Sequence, residues 1–236
     1  MRQTFILKTG GTLPVLRAER GDYDEWITDA LGVPAQTIRV AEGEPLPSPR
    51  EAGAVVVTGS SAMVTDRLEW SVRSGDWLAR VVEQGGAVLG ICYGHQLLAD
   101  ALGGEVGPNP RGREMGTVHI EQTREGRQDP LLGALRDPLV MQASHRQSVL
   151  RPPPGARVLA TSEGDPCQCF AWGERVWGVQ FHPEWDHVVV RTYLEDRRAI
   201  LDAEGLDASA MIERVRSSED GQALLRRFSE LCLLRP

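Results

Sequence analysis

The chain has 236 residues, of which 41% are apolar and 25% charged, with a formal net charge of −7. That mix builds one large domain or two small ones with a filled core; it excludes disorder, and the acidic balance argues against a nucleic-acid surface. No apolar run approaches the roughly 18 to 20 residues of a membrane helix, the start lacks a signal-peptide pattern, and the four cysteines make no disulfide framework, so a reduced, cytoplasmic protein without membrane contact is expected.

Short continuous apolar runs alternate with helical patterns, which predicts βαβ units around a mostly parallel sheet buried on both faces. Strands are expected at Thr4–Leu7, Thr37–Val40, Ala54–Thr58 and Ala87–Ile91. A first helix opens near Asp22, where Asp22 and Glu25 have capping-box spacing and Trp26, Ile27 and Ala30 follow at helical intervals. A second covers Trp77–Glu83 and stops at Gly85-Gly86. The third follows the fourth strand, with Leu97, Leu98, Ala101 and Leu102 on one stripe before Gly103-Gly104.

From about Gly116 the pattern changes. Thr117–Glu121, Leu139–Ala143, Arg157–Ala160, Gln168–Trp172 and Val176–Phe181 read as strands separated by turn-rich pieces such as Arg151-Pro-Pro-Pro-Gly155. They predict a mixed or antiparallel extension of the same sheet. From about Asp186 the pattern returns to helix, and Leu224, Leu225, Phe228, Leu231 and Cys232 fall on one face of a terminal helix. Cys167 and Cys169 are expected to alternate on a strand, since no second Cys/His cluster at zinc spacing accompanies them. His95 is expected to pack at a helix start, and Trp70, Trp77 and Trp172 to serve packing.

The informative segment is Ala87-Val-Leu-Gly-Ile-Cys-Tyr-Gly-His-Gln-Leu-Leu-Ala99. A buried strand runs straight into an amphipathic helix with Cys92 at the junction, in a G-x-C-x-G setting like the G-x-S-x-G elbow of other hydrolases. The glycines permit a tight strand-to-helix turn. A thiol placed there faces the positive end of the helix dipole, and the Tyr93 N–H points where an oxyanion forms. A buried structural cysteine is the default for a thiol in an apolar run; Gly90 and Gly94 argue against it. Further along, Val176-Trp-Gly-Val-Gln-Phe-His-Pro-Glu184 ends a strand in His182, with Glu184 two residues on across a stiff proline. His182 has the chemistry to move the thiol proton, and Glu184 to orient the imidazole.

Together G-I-C-Y-G-H-Q-L-L-A and G-V-Q-F-H-P-E resemble the class I glutamine amidotransferase family, in the flavour of the glutaminase part of GMP synthase and its stand-alone relatives. The resemblance implies a flavodoxin-like α/β fold over residues 1–190, with 191–236 as a C-terminal helical extension packed on the same domain. It also implies a γ-glutamyl thioester on Cys92, resolved by water with release of glutamate and ammonia. Carried over residue by residue, Gln96 helps to bind substrate, Gly59 or Ser60 supplies a second oxyanion donor, and the backbone around Ser144, His145 and Arg146 meets the substrate's α-groups. Two departures stand out: Gly-Ser-Ser replaces the usual Gly-Gly-Pro at Gly59, and Gln147 replaces an aspartate. Pro110-Arg-Gly-Arg-Glu-Met-Gly116 resembles a G-x-E-x-G element of the stand-alone relatives, and reads equally well as a charged turn.

No cofactor and no metal site are implied. Glutamine is the expected substrate. No P-loop appears, so a separate synthase chain is the expected acceptor of ammonia. The alternative is a stand-alone hydrolase of other γ-glutamyl amides or peptides, using the same Cys92 chemistry. A regulatory protein that retains only the fold is disfavoured, because all three triad residues are present.

Overall fold

The computed structural model describes residues 2–232. Its first half is a run of alternating strands and helices: β1 (Gln3–Leu7), α1 (Pro14–Arg20), α2 (Tyr23–Leu31), β2 (Gln36–Ile38), β3 (Ala52–Val57), α3 (Glu69–Glu83), β4 (Ala87–Ile91) and α4 (Tyr93–Ala101). There follow β5 (Glu105–Pro108), β6 (Glu114–Gln122), α5 (Arg124–Gln128), β7 (Leu139–His145), β8 (Gln147–Arg151), β9 (Arg157–Thr161), β10 (Cys169–Trp172) and β11 (Val176–Val179). The chain closes with α6 (His187–Asp196), α7 (Arg198–Ala203), α8 (Ala208–Glu213) and α9 (Asp220–Cys232).

Nine strands form one sheet in the order β2-β1-β3-β4-β11-β10-β9-β6-β7, while β5 and β8 pair as a small separate ribbon. Pairing is parallel from β2 to β11 and antiparallel from β11 to β7. The expected mostly parallel sheet with an antiparallel extension is therefore what forms, with β11 as the pivot. The antiparallel half curls back on itself, because Gln142 of β7 bridges His182 just beyond β11.

Alternation along the parallel strands sends side chains to two faces. Ile6, Val56 and Leu89 enter a core with α2 and α9, where Ile27, Leu224 and Phe228 are buried. Phe5, Leu7, Val55 and Val57 enter the opposite core with Trp77, Leu78 and Val81 of α3 and Leu97 and Leu98 of α4. A third cluster joins Leu16 and Tyr23 to Val190, Leu194 and Leu201 of the C-terminal helices. The helix α6 runs across the expected division at residue 190.

Several boundaries differ from expectation. The helix expected at Trp77–Glu83 begins earlier, at Glu69, and α1, α5 and the β5–β8 ribbon carried too short a pattern to be read. Cys167 precedes β10 and packs in the second core, whereas Cys169 packs in the first, so the pair does not share a strand face. A register shift next to Cys169 accompanies the change of side. The Asp22–Glu25 capping box forms as expected, with Asp22 accepting from Tyr23 N–H and Glu25 accepting from Asp22 N–H at 2.8 Å.

Candidate active site

The carboxyl ends of β3, β4 and β11 converge on one edge of the sheet, where parallel α/β sheets place their ligand crevices. The turn from β4 into α4 holds Cys92 with φ 51° and ψ −98°. Positive φ is strained for a residue that carries Cβ. The flanking glycines let the chain close around it. A Cβ on Gly90 would lie 2.4 Å from the Gly94 carbonyl oxygen, and one on Gly94 would lie 2.5 Å from that of Val57. Cys92 is 6% exposed and lines a cavity of about 420 Å³.

From β11 the chain continues to His182, whose backbone N–H donates to the Gln142 carbonyl at 2.8 Å. The ring Nδ1 lies 2.7 Å from Glu184 Oε1, and the Cys92 thiol is within hydrogen-bonding reach of the same ring. With Nδ1 engaged by Glu184, Nε2 is the nitrogen left for sulfur. Burial works to depress the basicity of this imidazole, but the charge of Glu184 and then that of Cys92 outweigh it and raise the pKa to about 10. The ring therefore carries a proton at neutral pH.

An aromatic column holds the imidazole plane. Trp185 stacks on His182 with centroids 3.9 Å apart and planes at 14°. Tyr193 stacks on Trp185 at 4.3 Å, and the Arg197 guanidinium lies 5.1 Å over Tyr193. Tyr23 joins the group from α2, its hydroxyl 2.6 Å from that of Tyr193. Burial, more than any neighbouring charge, raises the Tyr23 phenol well above its ordinary range, so it remains a neutral hydrogen-bonding group.

The expected oxyanion donors divide. Ser60 and Tyr93 line the cavity with Cys92. Gly59 packs beneath the catalytic-edge histidine, since a Cβ there would approach His182 Cε1 to 2.8 Å. Among the expected substrate contacts, Gln96 donates its amide hydrogens to the Gln147 carbonyl and to Gln180 Oε1 at 2.8 and 2.9 Å. Only its carbonyl oxygen is left to accept a bond at the cavity wall. The carbonyl oxygen of Ser144 takes the Cys92 thiol as donor at 3.8 Å, and its hydroxyl accepts from Arg197 at 3.1 Å. His145 is committed inward, with Nε2 2.8 Å from Glu114 Oε2 and Nδ1 3.0 Å from the Gln147 carbonyl. Arg146 is exposed at the cavity mouth.

Glu114 also accepts from Ser162 Oγ at 2.6 Å and from the Gln168 amide. Burial works to raise its pKa, but the His145 contact and the other donors prevail and hold it below the usual carboxylate range. It thus anchors the loop after β7 from behind, which the charged-turn reading of residues 110–116 missed. Its signal was present in the G-x-E-x-G resemblance. Trp185, Tyr193, Arg113 and Arg197 were missed as well. Only Trp185, directly after the H-P-E segment, carried a positional hint.

His95 is fully buried against Phe170, with centroids 5.0 Å apart. Desolvation, the largest cause, lowers its pKa to about 3. It is a neutral packing residue. Among the described residues, no group of three or more His, Cys, Asp or Glu is arranged to hold a metal ion, and no helix is long and apolar enough to cross a membrane.

Comparison with known proteins agrees in kind. Residues 55–198 match the family described as "Glutamine amidotransferase class-I". GMP synthase [glutamine-hydrolyzing] of Aeropyrum pernix is 43% identical over 155 residues, which cover 66% of this chain and 28% of that protein. The glutamine-hydrolyzing GMP synthase subunit of Ignicoccus hospitalis is 44% identical over 101 residues, covering 42% of this chain and 52% of that one. The chain thus matches less than two thirds of the length of these relatives. Among solved structures, a glutamine amidotransferase from Thermotoga maritima superposes with a TM-score of 0.77 at 20% identity and covers 100% of both chains. A glutamine amido transferase from Methylobacillus flagellatus gives 0.75 at 24% identity, covering 98% of this chain and 92% of its own. At such identities these two likenesses speak for the fold.

Proposed function

The chain belongs to the class I glutamine amidotransferase family, and from that premise we propose that it hydrolyses the side-chain amide of glutamine, with Cys92 as nucleophile, His182 as acid and base, and Glu184 as the group that orients His182. One observation carries this reading: a buried imidazole bonded to Glu184 at 2.7 Å on one side and in hydrogen-bonding reach of the strained Cys92 thiol on the other. Such an arrangement sets up a thiolate–imidazolium pair beside a cavity large enough for an amino acid.

In the first half-reaction the Cys92 sulfur attacks the amide carbon. Negative charge then moves to the carbonyl oxygen, where N–H groups at Tyr93 and Ser60 are placed to receive it. His182 gives its proton to the nitrogen, the carbon–nitrogen bond breaks, and ammonia leaves a γ-glutamyl thioester. In the second half, His182 takes a proton from water as the oxygen attacks the thioester carbon. The carbon–sulfur bond breaks, glutamate leaves, and the pair is restored. The ammonia is proposed to pass to a separate synthase, a role supported by the similarity to a glutamine-hydrolyzing GMP synthase that is built from more than one kind of chain.

The test is direct. Treating the chain with a glutamine-mimicking diazo ketone should label Cys92 and leave Cys167, Cys169 and Cys232 unmodified by peptide mass spectrometry. Cys92→Ser should lower kcat on glutamine by at least about 10³-fold with the fold retained. Ammonia release at the wild-type rate in Cys92→Ser would overturn the assignment.

A further inference from the structure

The cavity that holds Cys92 has an unusual charge inventory for an acidic chain. Among the described residues, no Asp or Glu lines it, while three arginines do: Arg113, Arg146 and Arg197. Arg113 is already occupied. Its side chain is 7% exposed and forms a two-point pair with Glu204 at 2.6 and 2.8 Å. Arg197 is different. It is half-buried, its guanidinium rests over Tyr193, and a single N–H is spent on the Ser144 hydroxyl. Among the described residues neither Arg197 nor Arg146 has a carboxylate within ion-pairing distance, 4.0 Å. A guanidinium has five N–H donors in a planar fork that fits a carboxylate. Most of those of Arg197 remain uncommitted.

Ser144 ties this cation to the nucleophile. Its carbonyl oxygen is 3.8 Å from Cys92 Sγ, and its hydroxyl is 3.1 Å from Arg197 Nη1. A substrate whose amide carbon sits on the sulfur carries the rest of its chain only a few bonds further, across the width of one residue. A carboxylate at that far end meets Arg197, with Arg146 beside it at the mouth. An ammonium at the same end meets no opposite charge. It finds only neutral oxygens such as that of the Gln96 carboxamide, and cations nearby repel it.

We propose that Arg197 and Arg146 form a subsite for a free carboxylate of the substrate. The substrate class is then the ω-amides of dicarboxylic acids, glutamine among them, recognised through the carboxylate and not through an α-ammonium. This inference rests on the amide-hydrolysis reading given above, and its test separates the two. The wild-type chain is alkylated with iodoacetamide, and modification of Cys92 is followed by mass spectrometry in the presence of L-glutamine, glutaramate, N-acetyl-L-glutamine or pentanamide. Glutaramate has the glutamine chain without the amino group, and pentanamide lacks the carboxylate as well.

The expected result is protection by glutaramate and N-acetyl-L-glutamine at concentrations within about tenfold of glutamine, and by pentanamide only at concentrations at least about tenfold higher. In Arg197→Gln the advantage of glutaramate over pentanamide should fall toward one. If glutamine protects more than about tenfold better than glutaramate, if pentanamide equals glutaramate, or if no ligand protects, the subsite is overturned. The wild-type ligand series decides this even if the variant does not fold. Ammonia release from glutamine, measured alongside, reads the catalytic proposal separately: release without a carboxylate preference removes the subsite alone, and carboxylate-dependent protection without any release removes the catalytic reading alone.

Discussion

Gly59 shows how little latitude the residues around the thiol have. It sits against the His182 ring, where an added methyl would come within 2.8 Å of Cε1, closer than carbon atoms tolerate. The ring has few directions in which to yield, since Trp185 covers one face and Glu184 holds Nδ1. Gly59→Ala should therefore displace the imidazole from Cys92 or from Glu184 and lower kcat on glutamine by about 10²-fold, the usual penalty for a misplacement of about 1 Å. Unfolding by urea should move little by comparison. Kinetics within a factor of two of wild type would show that the ring position is not under this constraint. The family resemblance had cast Gly59 as an oxyanion donor, and the contact with His182 was invisible because it joins the ends of two distant strands.

The glutaminase-like edge is held up by elements whose own signals were uneven. Helix α3 was read only from Trp77 because its first half, E-W-S-V-R-S-G-D, mixes small and polar residues without an apolar stripe. Packing explains the choice of residues. Gly75 faces Leu97 and Ala101 of α4, and a Cβ there would touch both at 3.4 and 3.6 Å, so a small residue allows the two helices to approach. Helix α9 was legible because its apolar stripe keeps a strict helical period. Phe228 on that stripe is fully buried and meets Trp177 edge-on at 6.1 Å and 90°. Phe228→Ala should cost about 3 to 5 kcal/mol of stability in urea denaturation. The residue lies in the core between α9 and the sheet, away from the cavity lining, so kcat of the folded variant should stay near wild type. A loss below about 1 kcal/mol would mean that α9 adds no core to the sheet.

Across the whole molecule, the thiol–imidazole pair couples stability to pH. The His182 pKa is raised to about 10 in the folded chain, whereas an unfolded histidine titrates near 6.5. The folded state therefore binds a proton that the unfolded state releases between these values. The stabilising contribution is complete below about pH 6.5 and is lost as pH climbs through about 10. Glu184 is the principal source of the rise, so Glu184→Gln should flatten the decline in stability over that window. Urea midpoints measured from pH 6 to 10 on both chains check this. Parallel slopes would show that the carboxylate does not hold the proton. Placing so costly a buried pair is possible because three strand ends, a curled antiparallel half and the C-terminal helices all close on the same edge.

The amino-acid order by itself determined the alternating βα pattern, the change to antiparallel strands and the Cys92 elbow, because hydrophobic period, glycine placement and capping residues act within a few positions along the chain. It also marked His182 and Glu184, whose spacing is local. The tertiary structure alone decided what surrounds them. The stack of Trp185, Tyr193 and Arg197, the burial of Glu114 behind His145, and the acid-free wall of the cavity all arise between segments far apart in sequence. Charge and stacking energies depend on distances through space, and only the closed sheet edge fixes those.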